Sequence, residues 1–207
     1  MILFDLDGTL IDSNGIWENI DTAFLGRRGL QSTEEYAHRM GQSIFPVAAQ
    51  LTKDYFGLTI TVQEIMDEWM ALAGDAYHHV PLKPGAAEFL ARCHAEGAPM
   101  AIVTACVPDL CRIALARHGL DGYFQTVIFA QELGLEKRDP QVFHRSAKLL
   151  DASPETCTLY EDAPANCAAA KAAGMRVVGV YDPFYHKYEQ EMRATCDRYI
   201  ESFEELL

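Results

Sequence analysis

Apolar positions follow two rhythms along the chain. Ile2, Leu3 and Phe4 form an unbroken apolar run, the pattern of a strand buried on both faces. Asp12-Ser13-Asn14-Gly15 then reads as a turn or linker, and the spacing beyond it becomes helical. Trp17, Ile20 and Phe24 recur on one helix face, and Gly26 to Gly29 break the segment. Ser32-x-x-Glu35 predicts a capping box for a helix to about Met40, and Gly41-Gln42-Ser43 reads as a turn. Val47 to Phe56 is an apolar-rich helix closed by Gly57. Thr61-x-x-Glu64 is a second capping box, opening a helix that carries Ile65, Trp69, Leu72 and Ala76. This block ends near His79-Val80-Pro81.

From Pro84 the rhythm alternates. Pro84-Gly85 introduces a helix ending at Gly97, and Pro99 to Thr104 is a second apolar strand. A helix over 109–118 precedes a strand over 126–129. Asp139-Pro140 opens a helix to about Leu150, with Pro at its first position. Cys157 to Tyr160 is a fourth strand, Ala163 to Ala173 an alanine-rich helix, and Arg176 to Val180 a fifth strand. Strands alternating with helices of this length predict an α/β fold with a parallel sheet and right-handed crossovers. Its core takes residues 1–13 and 82–207, and a helical domain over 14–81 is inserted between the first two strands. The tail from Asp182 is rich in aromatics (Phe184, Tyr185, Tyr188) and carries no motif.

Composition narrows the function classes. The 207 residues can bury one good core, or a core plus a small second domain. With 49% hydrophobic and 23% charged residues, this is an ordinary soluble composition. A net charge of −13 disfavours nucleic-acid binding, which needs a basic face. No apolar stretch approaches ~20 residues, so no membrane span is expected. A basic region followed by a long apolar one is missing at the N-terminus, so no signal peptide is expected either. The six cysteines show no C-x-x-C pair, which predicts reduced, mostly buried thiols in a cytoplasm. Cys93 and His94 are adjacent on a helix and point to different sides, so they read as a core thiol beside a surface imidazole.

The acidic pair after the first strand carries the chemistry. In extended chain Asp5 and Asp7 start on the same side, and Gly8 allows a sharp turn away. Carboxylates this close repel unless a cation or a shared proton stands between them. That points to Mg²⁺ binding, covalent chemistry, or both. Three later strand ends add polar groups where open parallel sheets bind ligands: Thr104 after the second, Lys137 in the loop after the third, and Glu161-Asp162 after the fourth.

Phe4-Asp5-Leu6-Asp7-Gly8-Thr9-Leu10 resembles the first motif of the haloacid dehalogenase superfamily. Ile102-Val103-Thr104-Ala105 resembles its second motif, Lys137-Arg138-Asp139-Pro140 its third, and Glu161-Asp162-Ala163 with Ala172-Ala173-Gly174-Met175 its fourth. The resemblance implies a Rossmann-like parallel-sheet core with an inserted α-helical cap domain. It implies a phosphatase with Asp5 as nucleophile, Asp7 as general acid and base, and Thr104 and Lys137 as catalytic partners. Mg²⁺ would take carboxylate oxygens of Asp5 and Asp162, the backbone carbonyl of Asp7, and Glu161 directly or through water. Thr104, Ala105 and Lys137 would hold the phosphoryl group. The cap would close over the site and choose the substrate, with Trp17, Gln42 and Ser43 as candidate contacts.

Some positions depart from the family pattern. Arg138 stands where proline is usual, so either Lys137 or Arg138 could be the phosphate cation; register favours Lys137. Asn166 stands where glycine is frequent, and asparagine tolerates left-handed backbone. Either the first strand is short or the sequence starts late, because so few residues precede Asp5. The second Asp argues against dehalogenation. β-Phosphoglucomutase-like relatives use a cap histidine and a cap arginine where Trp17 and Ile44 stand here, so hydrolysis of a small phosphorylated metabolite is favoured over a mutase. A phospho-acceptor module of the receiver type is the non-enzymatic alternative. The expected assembly is a monomer or weak dimer, with no nucleic-acid or membrane partner.

Overall fold

A computed structural model describes residues 1–40 and 45–207, with His38 by its backbone alone. Its six strands form one all-parallel sheet in the order β3-β2-β1-β4-β5-β6. The strands are β1 (Ile2–Phe4), β2 (Met100–Thr104), β3 (Val127–Phe129), β4 (Thr158–Glu161), β5 (Arg176–Val180) and β6 (Arg198–Ile200). The described helices are α1 (Asn14–Gly26), α2 (Glu34–Met40), α3 (Phe45–Phe56), α4 (Val62–Tyr77), α5 (Ala86–Ala95), α6 (Pro108–Arg117), α7 (Pro140–Leu149), α8 (Pro164–Ala172) and α9 (Glu189–Thr195).

The chain divides into two compact units. One is Met1–Ser13 with Val80–Leu207, the other Asn14–His79. In the first, β1 lies at the centre of the sheet, which is why its apolar run is continuous. Register sorts its side chains. Leu3 pairs with Ala101 and Leu159, and all three join the core packed by α7 and α8 through Val142, Phe143, Ala147, Cys167 and Ala170. Phe4 pairs with Ile102 and Tyr160 on the opposite face. There its ring stacks on Tyr160 at 5.0 Å and meets Phe89 of α5 edge-on at 6.2 Å. The segments on either side of the second unit are tied within this one: Ile11 and Leu82 form an antiparallel bridge, and Lys83 Nζ pairs with Asp182 at 2.5 Å.

The second unit is helical. Thr61 caps α4 in a full capping box, with its hydroxyl accepting from Glu64 N and the Glu64 carboxylate accepting from Thr61 N. The ring of Phe24 meets Trp69 edge-on at 5.7 Å between α1 and α4. Two sequence expectations are corrected. Thr33, not Ser32, caps α2, because its hydroxyl is the one that accepts from Tyr36 N, at 3.2 Å. Asn14 and Gly15 already belong to α1 rather than to a linker. The aromatic tail adds what its sequence hid: a 3₁₀ turn (Pro183–Tyr188), α9, the edge strand β6 and a last 3₁₀ turn (Phe203–Leu206).

Candidate active site

β1 delivers Asp5 to the carboxyl edge at the middle of the sheet, and the Asp5 N–H continues the ladder to Tyr160 O at 2.9 Å. Gly8, at φ +80°, then turns the chain back, and the amides of Leu10 and Ile11 both close onto Leu6 O. The tight loop returns Thr9 toward the strand end. Its hydroxyl lies 2.8 Å from Asp162 Oδ1 and 3.3 Å from Asp5 Oδ2. One hydroxyl proton cannot serve both, and the shorter contact takes it. β4 lies beside β1 and brings Glu161 and Asp162 to the same edge.

Asp5, Glu161 and Asp162 each place a carboxylate oxygen within 4.8 Å of the others, and all three are buried. Lys137 Nζ sits 2.5 Å from both Asp5 Oδ1 and Glu161 Oε2. Glu161 Oε1 also accepts from Ala163 N at 3.0 Å. Burial, with Glu161 adding to it, pushes the Asp5 carboxyl up to about 7 although Lys137 pulls it down. Burial would lower the Lys137 ammonium, but Asp5 and Glu161 outweigh it and hold the group firmly charged. Two or three buried carboxylates around one ammonium still leave excess negative charge. Hard oxygen donors this close together suit a small divalent cation.

The other sequence-predicted residues divide in three ways. Arg138 points elsewhere: its Nε pairs with Glu136 at 2.5 Å and its side chain is 54% exposed, so Lys137 is the cation of this cluster. Asp7 is half-buried, and its Oδ1 accepts from Ser13 Oγ at 2.7 Å. Thr104 is fully buried at the end of β2, and its Oγ1 accepts from Cys106 N at 3.0 Å. Ala105 beside it is exposed. Asn166 lies in α8 with ordinary helical backbone, so its tolerance of left-handed geometry is not called on. Trp17 belongs to the helical unit, with its ring edge-on to Phe45 at 5.9 Å and Tyr77 at 6.5 Å. Gln42, Ser43 and Ile44 lie outside the described residues.

Three contributors carried no signal of their own. Thr9 was visible only as part of the first motif, and Ser13 only as a turn residue. Tyr185 follows β5 in the aromatic tail. Burial holds its hydroxyl protonated, and the charges of Asp162, Glu161 and Asp5 add to that effect.

Residues 2–180 match the haloacid dehalogenase-like hydrolase family. The chain belongs to this family. It is 31% identical to hexitol phosphatase A of Escherichia coli over 186 residues, covering 87% of this chain and 82% of that one. It is 28% identical to the bifunctional riboflavin kinase/FMN phosphatase of Arabidopsis thaliana, covering 86% of this chain but only 48% of that relative's length. Among solved structures, CbbY from Rhodobacter sphaeroides in complex with xylulose-(1,5)bisphosphate superposes with a TM-score of 0.83 at 20% identity, covering 99% and 95% of the two chains. A haloacid dehalogenase family hydrolase from Deinococcus radiodurans, with bound phosphate and sodium, superposes at 0.74 and 25% identity, covering 99% and 92%. At these identities the first superposition speaks for the fold, which is the Rossmann-like sheet of the haloacid dehalogenase-like hydrolases. No described helix is long and apolar enough to cross a membrane.

Proposed function

We propose that the chain is a Mg²⁺-dependent phosphatase that hydrolyses a small phosphomonoester through an aspartyl-phosphate on Asp5. The observation that carries this reading is the buried cluster of Asp5, Glu161 and Asp162 around Lys137. Asp5 Oδ attacks phosphorus, the new O–P bond forms, and the ester oxygen departs with a proton from Asp7. Asp7 then removes a proton from water, the hydroxide attacks the same phosphorus, and phosphate leaves Asp5 as it began. Ser13 orients Asp7 for both transfers, since its hydroxyl donates to Oδ1.

Lys137 offsets the negative charge that gathers on Asp5 and the phosphoryl oxygens. Thr104 already accepts a backbone proton, so its own hydroxyl proton is available for a phosphoryl oxygen. The backbone N–H of Ala105, an exposed residue just past β2, would offer a further donor. Asp5, Asp162 and the Asp7 carbonyl would hold Mg²⁺, with Glu161 as ligand or support. When bound, the ion supplies the positive charge that lets a carboxylate and a phosphate meet.

The unit Asn14–His79 serves as the cap domain that selects the substrate, with Trp17 and Gln42 as candidate contacts. Trp17 packs as an aromatic of that unit and offers no cation for a second phosphate, which supports hydrolysis over the mutase reading. The working form is a cytoplasmic monomer or weak dimer. The test is Mg²⁺-dependent release of phosphate from p-nitrophenyl phosphate by wild type and Asp5→Asn. Wild-type turnover lost in the variant is expected. Equal release from both proteins overturns the nucleophile.

A further inference from the structure

Two cysteines meet at a place the proposed reaction does not use. Cys167 lies in α8, and its Sγ donates to the Glu161 backbone oxygen at 3.6 Å. Cys196 follows α9 and precedes β6. Its Sγ comes so near β5 that a Cβ added at Gly179 would lie 2.9 Å from it. Glu161 and Gly179 are register partners across β4 and β5. The two sulfurs therefore stand over the same strand pair, Cys167 within the core cluster and Cys196 packed against it. Glycine at 179 is what makes room: the same Cβ would also meet Tyr199 Cδ2 at 2.8 Å and Met192 Cε at 3.2 Å. Cys167 is buried, whereas Cys196 is half-buried.

We propose that Cys167 and Cys196 are a reversible oxidation site, closing to a disulfide seated against the strand end that carries Glu161. The oxidant is a peroxide. Cys196 sulfur attacks the O–O bond and becomes a sulfenic acid, and one water leaves. Cys167 sulfur then attacks Cys196 sulfur, the S–S bond forms, and the sulfenic oxygen departs as a second water. Two thiols lose two electrons and two protons, and hydrogen peroxide is reduced to water. A dithiol reverses the step by exchange. The neighbouring Cys167 thiol holds the Cys196 thiol below its usual range. Closure consumes the Cys167 proton that now faces the Glu161 carbonyl and ties α8 to the tail.

The test treats the reduced full chain with hydrogen peroxide, blocks remaining thiols by alkylation and maps peptides without reduction. The expected result is a Cys167–Cys196 cross-linked peptide, an intact mass lower by two hydrogens, and reversal by dithiothreitol. Cys167→Ser should accumulate sulfenic acid on Cys196, trapped by dimedone at higher yield than in wild type. Oxidation that leaves wild-type Cys167 and Cys196 uncross-linked, or that joins other cysteines instead, overturns the pair. So does absence of dimedone label on Cys196 in Cys167→Ser. The readout is covalent mass, so a failure here is separate from a failure of the phosphatase reading.

Discussion

Lys137 is the residue on which the charge balance of the site turns. Its ammonium stands 2.5 Å from two buried carboxylates, and a third lies within the same small cluster. Lys137→Ala should lower kcat for a phosphomonoester by roughly 10²–10³-fold, the usual loss of one preorganised electrostatic contact. Lys137→Arg should not restore it, because a planar fork cannot replace a compact point charge between two oxygens. Steady-state kinetics on both variants, with circular dichroism to confirm folding, check this. Thr9→Val tests a contact with no motif role of its own. Valine keeps the shape but cannot donate to Asp162, so the chain should lose roughly 1–3 kcal/mol in urea unfolding. Register alone pointed to Lys137 over Arg138; in the structure Lys137 lies among the buried carboxylates, whereas Arg138 pairs with Glu136. Thr9 was harder to read. A hydroxyl four residues beyond Asp5 acquires its partners only when Gly8 folds the loop back and β4 supplies Asp162.

Elements were most legible where local chemistry fixes them. The Thr61-Glu64 box predicts the start of α4 because both of its hydrogen bonds are within one turn. Thr61→Ala should therefore cost about 1 kcal/mol, read by denaturant titration. Ser32-Glu35 fits the same pattern and does not cap, since the Thr33 hydroxyl, one residue on, takes the cap position and holds Tyr36 N without a glutamate to complete a box. A strand such as β6 is illegible for a different reason. Only Ile200 of its three residues is buried, and its pairing with β5 depends on Gly179, distant in sequence, leaving room for Tyr199. Within the helical unit, Asp21 accepts from the Tyr36 hydroxyl at 2.8 Å, and burial raises its carboxyl above the ordinary value. The raised value means that the ionised form is disfavoured by folding. The penalty is full above the folded value and vanishes below the unfolded one. Asp21→Asn keeps the acceptor without the charge. It should raise Tm at neutral pH, with the gain shrinking to nothing below about pH 4. A gain that persists at low pH would show that charge is not the cause.

At the scale of the whole molecule, the central strand explains why residues from distant parts of the chain form one site. β1 is flanked by β2 and β4, so the chain passes its edge at Asp5, Thr104 and Glu161-Asp162, and the loop after β3 adds Lys137. Alternation of strands and helices made that much readable, because parallel strands put all their carboxyl ends on one side. What patterning does not carry is the linked cost. Gathering Asp5, Glu161 and Asp162 in a buried cluster leaves more negative charge than the one ammonium of Lys137 offsets, which opposes folding of the α/β unit until a divalent cation joins them. Divalent binding should therefore be visible as stability. At a Mg²⁺ concentration 100 times Kd the α/β unit should gain about 2.7 kcal/mol, and EDTA should remove it. For a chain of this size each kcal/mol moves Tm by roughly 2–4 °C, so the shift is well within reach of calorimetry. Asp162→Asn separates the two sides of the account. Without metal it should melt no lower than wild type, because one like charge is gone and the amide oxygen can still accept from Thr9. With Mg²⁺ it should show little or no shift, because a ligand charge is gone too. If wild type melts at the same temperature with saturating Mg²⁺ and with EDTA, the carboxylates are not gathered for an ion.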